Sequence, residues 1–108
     1  MGRKTAKIKE PVERDEARGG GQTDEIGAIL AERGNTHGDF VVQAWVAQEL
    51  KACVENGPNW ILMTADKREA IHMILHKVSR VVCGNPDFKD TWDDIQGYAR
   101  LISNKLSD

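Results

Sequence analysis

The sequence predicts an all-α fold, a compact bundle of about four helices behind an N-terminal tail, on three observations. Apolar residues recur at the three- and four-residue intervals of a helix from residue 23 onward. No stretch alternates apolar with polar as a half-buried strand does. Glycine and proline punctuate the pattern at Gly34, Gly57-Pro58 and Gly84-Asn85-Pro86. A length of 108 residues, 40% hydrophobic and 30% charged, suits one domain.

The predicted elements follow in order. Thr23 caps a short first helix whose opening turn carries Asp24 and Glu25, favourable at the positive end of the helix dipole, and Gly34 stops it after Arg33. The loop GNTHGD leads to Asp39, the N-cap of a second helix from Phe40 to about Asn56, closed by Gly57 and Pro58. Projected at about 100° per residue, that helix has only a narrow polar strip of Gln48, Lys51 and Glu55. In a unit this small it is either central or part of a subunit interface. Glu49 falls among Val42, Trp45, Ala52 and Cys53, where a carboxylate needs a partner, a metal or water.

Thr64 caps a third helix, Ala65 to about Val82. Ala70, Ile71, Ile74, Leu75, Val78, Val81 and Val82 form its core arc, and Glu69, His72, His76, Lys77 and Arg80 lie opposite. Thr91 and Asp94 have capping-box spacing ahead of a fourth helix that runs to about Leu106, with Trp92, Ile95, Tyr98, Ala99, Ile102 and Leu106 as its apolar stripe. Gly97 in mid-helix costs about 1 kcal/mol relative to alanine, which predicts the close approach of a helix or a ligand.

Residues 1 to 22 hold six Lys/Arg, four Asp/Glu and a glycine triplet, with apolar residues at Met1, Ala6, Ile8, Val12 and Ala17 alone. So polar a stretch buries too little to offset the entropy of ordering, and it reads as a flexible, solubilising tail. The net charge of −2 therefore averages a tail of +2 and a body of −4. An acidic body argues against nucleic acid as a partner. No apolar run approaches the roughly 20 residues that span a bilayer. The N-terminus lacks the apolar segment of a signal peptide, and Cys53 and Cys83 are not spaced as a CxxC pair, so a reducing cytoplasm is expected.

The chemistry-bearing residues fall into two groups. The row of His76, Lys77 and Arg80 suits phosphate, through charge-assisted hydrogen bonds and the forked geometry of Arg. The segment Glu32–Phe40 brings Asn35, His37 and Asp39 between two glycines, where side chains and amides can line a pocket for the same ligand. The plainer readings are a solvated salt-bridge row and a simple connector capped by Asp39. The second group is acidic: Glu49, Glu69 and Asp93 or Asp94, if they converge, can hold Mg²⁺, which prefers oxygen ligands and bridges phosphates. Two imidazoles at His72 and His76 have i,i+4 spacing but lack the glutamate of a zinc helix.

The blocks ERGNTHGDF (32–40) and REAIHMILHKVSRVVCGNPDFKDTWDDIQGYARLI (68–102) resemble a family of small uncharacterised phage and prophage proteins. That family carries an ERGxTHGDF segment, an ALDMIxHKIxRI-like helix and a terminal HWDDIAGYA block. The resemblance covers most of residues 25 to 103, and at His72 this chain departs from the aspartate of that family. A fainter likeness, through the last two helices, is to phage nucleotide-modification-associated domains and to MazG-like all-α nucleotide pyrophosphohydrolases. Those enzymes hold Mg²⁺ on EExxE and ExxD pairs, and this chain has neither. The resemblance implies a phage-type helical domain. If it is catalytic, it is expected to be an Mg²⁺-dependent pyrophosphohydrolase-like enzyme.

The leading expectation is a nucleotide or other phosphate-rich ligand held by Lys77, Arg80 and His76 with residues 35 to 39. The other is a non-enzymatic protein that assembles with itself, or with a host or defence component, through the apolar second helix and anchors such as Trp45 and Trp60.

Overall fold

The computed structural model describes residues 24 to 107. The tail expected over 1–22 and the cap expected at Thr23 lie outside them. Four α-helices follow one another: α1 (Glu25–His37), α2 (Phe40–Val54), α3 (Ala65–Cys83) and α4 (Lys89–Ser103). A single 3-10 turn, Trp60–Leu62, lies between α2 and α3. No strand occurs among the described residues, so the all-α class holds.

Helix α3 is the centre. Helix α4 packs along it most extensively, α2 packs on it next, and α1 approaches both α3 and α2 more lightly. Ser79, fully buried on α3, donates to the His76 carbonyl at 2.6 Å and accepts from Gln43 Nε2 of α2 at 3.2 Å. Ala47, one turn on from Gln43, is buried on the same side of α2. At the other end of the same pair of helices Glu55 meets His72 at 3.0 Å, and Trp60 lies against the His72 ring, centroids 5.0 Å apart. Helix α2 thus covers the polar arc of α3 rather than its apolar one. On the α4 side Lys77 pairs with Asp94 at 3.1 Å, while Ala70, Ile71 and Ile74 face Ala99 and Ile102 across a narrow apolar cleft.

Several boundaries and roles differ from the sequence expectations. Asp24 caps α1 by accepting from Gly27 N at 2.7 Å. The helix does not stop at Gly34: it runs through GNTH to His37 and ends at Gly38, so residues 35 to 37 are its last turn and not a loop. The backbone of Gly38 is left-handed, φ 87°, and only there does the segment need glycine. Asp39 caps α2 as expected, accepting from Val41 N at 3.0 Å. Helix α4 begins at Lys89 with no side-chain cap. Thr91 lies inside it and is buried, so no capping box forms with Asp94. Trp92 ties the entrance instead, its indole N–H donating to the Pro86 carbonyl at 2.8 Å. Gly97 has no neighbouring atom within 4 Å of a Cβ built on it, so neither helix nor side chain approaches it. Val82, expected in the core arc, is 64% exposed.

Among the described residues Ala47 and Ala70 are the buried apolar side chains. Most other apolar residues of α3 and α4 are half-buried, while Val82, Trp92 and Leu101 are exposed.

Candidate functional site

The site sits where the C-terminal ends of α1 and α3 meet, and two glycines make that meeting possible. A Cβ on Gly38 would lie 2.2 Å from the Cys83 carbonyl oxygen, and one on Gly84 would lie 2.3 Å from the Thr36 carbonyl oxygen. The backbones touch at this point, and Asn85 N donates to Thr36 O at 2.8 Å. His37 is carried onto the end of α3, its ring edge-on to Phe88 with centroids 6.0 Å apart.

This crossing gathers positive charge. His76, Lys77 and Arg80 come from the last two turns of α3, His37 and Arg33 from the last turns of α1, and Lys51 from the last turn of α2. The groups feel one another. Burial, and then Arg80, Lys77 and Arg33, push the His37 pKa below the usual histidine value. Burial, and then Arg80, Lys51, Lys77 and His37, do the same to His76. Arg80 is itself lowered, by burial first and then by Arg33, with Asp94 opposing. The negative ends of the α1 and α3 dipoles offset part of this repulsion. Two nitrogens stay unserved: Arg80 Nε, a donor, and His37 Nδ1, which donates or accepts according to its tautomer, are both buried with no hydrogen-bond partner among the described residues. A buried polar atom left unpaired costs about 1–3 kcal/mol.

Of the ligand-binding residues expected from sequence, His37, His76, Lys77 and Arg80 come together here. Asn35 is exposed on the last turn of α1, and Asp39 is engaged in capping α2. Arg33 and Lys51 belong to the cluster and were missed. Arg33 lies one turn before His37, an i,i+4 pair that is visible only once residues 34 to 37 are read as helix.

The four acidic residues do not meet as one set. Glu49 is exposed on α2. Asp93 pairs with Lys89 at 2.8 Å and Asp94 with Lys77. Both line a shallow cleft with Gly97, Tyr98 and Leu101, while Glu69 lines the next one with Asp66 and Lys105. Among the described residues no group of three or more His, Cys, Asp or Glu side chains is gathered as a metal site. Cys83 is no activated nucleophile, since burial pushes its thiol pKa up. No described helix is long and apolar enough to cross a membrane.

Comparison with protein-family models, with curated proteins and with solved structures finds no match.

Proposed function

We propose that this protein binds a phosphate-bearing small molecule, a nucleotide in the first instance, at the cationic crossing of α1 and α3. The observation that carries the reading is the pair of buried, unpartnered nitrogens, His37 Nδ1 and the donor Arg80 Nε, inside a cationic cluster where burial first, and neighbouring positive charge second, lower the pKa values of His37, His76 and Arg80. A phosphate supplies what such a cluster lacks: acceptor oxygens for the Arg80 Nε–H and for His37 once it is protonated, and negative charge that attracts each cation and offsets their mutual repulsion. Arg80 offers the fork, Lys77 is held by Asp94 at the edge, and His37 and His76 become stronger donors as the anion draws protons onto them. The likeness of the last two helices to nucleotide-handling phage domains supports a nucleotide as the ligand to try first. Binding alone is proposed, and no reaction is derived from these residues.

Thermal unfolding with ATP and with inorganic pyrophosphate, each with and without Mg²⁺, tests the proposal. A ligand at a hundred times its dissociation constant stabilises by about 2.7 kcal/mol, on the order of 10 °C in the midpoint of a domain this small. Arg80→Ala should remove most of that shift. If neither ligand moves the midpoint, or if Arg80→Ala responds as the parent does, the proposal fails.

A further inference from the structure

Nothing among the described residues accounts for Gly97. It sits in the middle of α4, where glycine weakens a helix relative to alanine. Its φ is not positive, so the backbone does not demand glycine, and a Cβ built on it meets nothing within 4 Å. What it does is leave a notch. Asp93, Gly97 and Leu101 follow one another at four-residue spacing along one side of α4, and with Asp94 and Tyr98 they line a shallow cleft of about 450 Å³, within the roughly 300–1,000 Å³ of small-molecule sites.

The cleft adjoins the cationic crossing. Its Asp94 pairs with Lys77 at 3.1 Å and is close enough to Arg80 to oppose the lowering of its pKa. Lys77 in turn acts on His37 and His76, so one side chain belongs to both places. Their chemistry differs. Asp93 and Asp94 are each balanced by a lysine, Lys89 and Lys77, yet their oxygens keep lone pairs that accept from hydroxyl groups. Such walls offer acceptors where a phosphate needs donors, and they suit a neutral group that carries hydroxyls. Tyr98 and Leu101, which also line the next cleft along α4, add ring and methyl surface for a flat heterocycle. A ligand that serves both places is anionic at one end and neutral, hydroxyl-bearing and flat at the other, which is the order of groups in a nucleotide.

We infer that this cleft holds the nucleoside half of a nucleotide whose phosphates lie at the crossing of α1 and α3, its sugar hydroxyls donating to Asp93 and Asp94 and its base lying over Gly97 against Tyr98 and Leu101. The inference rests on the reading of that crossing as a phosphate site, and adds to it the part of the ligand that is selected. Gly97 is then the clearance for the base.

Calorimetric titration of the full chain with ATP, GTP, CTP and UTP tests the inference, with inorganic tripolyphosphate as the probe that has the same phosphates and no nucleoside. At least one nucleotide should bind about tenfold or more tighter than tripolyphosphate, the worth of a few added hydrogen bonds and a seated base. Gly97→Leu fills the notch with a good helix former. It should bring that nucleotide down to the affinity of tripolyphosphate and leave tripolyphosphate itself unchanged, whereas Arg80→Ala should weaken both. Gly97→Ala should melt above the parent and yet bind the nucleotide more weakly, a pairing that a merely structural glycine would not produce. If Gly97→Leu does not fold, Gly97→Ala decides. Tripolyphosphate binding that Arg80→Ala removes, with no nucleotide tighter than it, overturns the nucleoside site while the phosphate reading stands. A nucleotide preference that both Gly97 variants keep overturns it too. If neither tripolyphosphate nor any nucleotide binds, both readings fall.

Discussion

Gly38 and Gly84 are chemically silent, yet they seat α1 on the end of α3 and so bring His37 and Arg33 to Arg80. Gly38 takes a φ that an L side chain resists, and a methyl there would in addition enter the Cys83 carbonyl. Gly84 needs no unusual φ, but a methyl on it would enter the backbone of Thr36 and His37. Gly38→Ala and Gly84→Ala should each cost about 2–4 kcal/mol in denaturant unfolding, and both should weaken anion binding because α1 is lifted off α3. The histidines make a second prediction. His37 and His76 titrate below their unfolded value near 6.5 in the native state, so the unfolded chain binds more protons than the folded one below that pH. Stability is therefore retained above pH 6.5 and falls as the pH drops from there through the lowered values. Sulfate, whose charge is constant over this range, should oppose the loss. Unfolding midpoints between pH 8 and pH 5, with and without sulfate, check both statements.

The helices were the legible part of the sequence. Asp39 and the Gly57-Pro58 and Gly84-Asn85-Pro86 stops mark their ends almost to the residue, because caps and breakers act locally. Gly34 misled because glycine is tolerated inside a helix as well as at its end. Its neighbourhood is open, and α1 runs on to a glycine that φ and close contact actually require. Thr91 misled in the same way: the capping-box spacing was present, but burial claimed the side chain. The partners of each helix were not legible. Periodicity shows that α2 is apolar over most of its surface, and the Gln43–Ser79 bond that helps choose which part of it meets α3 is a tertiary choice. Gly97 yields a prediction for α4. With open space at its Cβ position, Gly97→Ala should raise stability by about 0.5–1 kcal/mol through helix propensity, measured as a higher denaturant midpoint at unchanged slope.

Among the described residues the charges that the sequence singled out are arranged in two different ways. The cationic cluster lies at one crossing, and the acidic groups singled out from sequence are dispersed over α2, α3 and α4. The cluster was half legible: the row 76, 77 and 80 follows from helical spacing, whereas the contribution of His37 depends on a contact between segments almost half the chain apart. The bond from Asn85 N to the Thr36 carbonyl has a kinetic consequence. The α3–α4 hairpin closes with a short turn, but the α1 crossing must close a long loop, so its entropy of closure is met only after the rest has formed. The same crossing should open first. Helix α1 has no buried residue of its own, and amide hydrogen exchange in the native state should show Ile29 to Thr36 exchanging by local opening, well ahead of the middle of α3. An anion bound at His37 and Arg80 would then act as a latch, slowing exchange along α1 in proportion to its occupancy and leaving α4 unchanged.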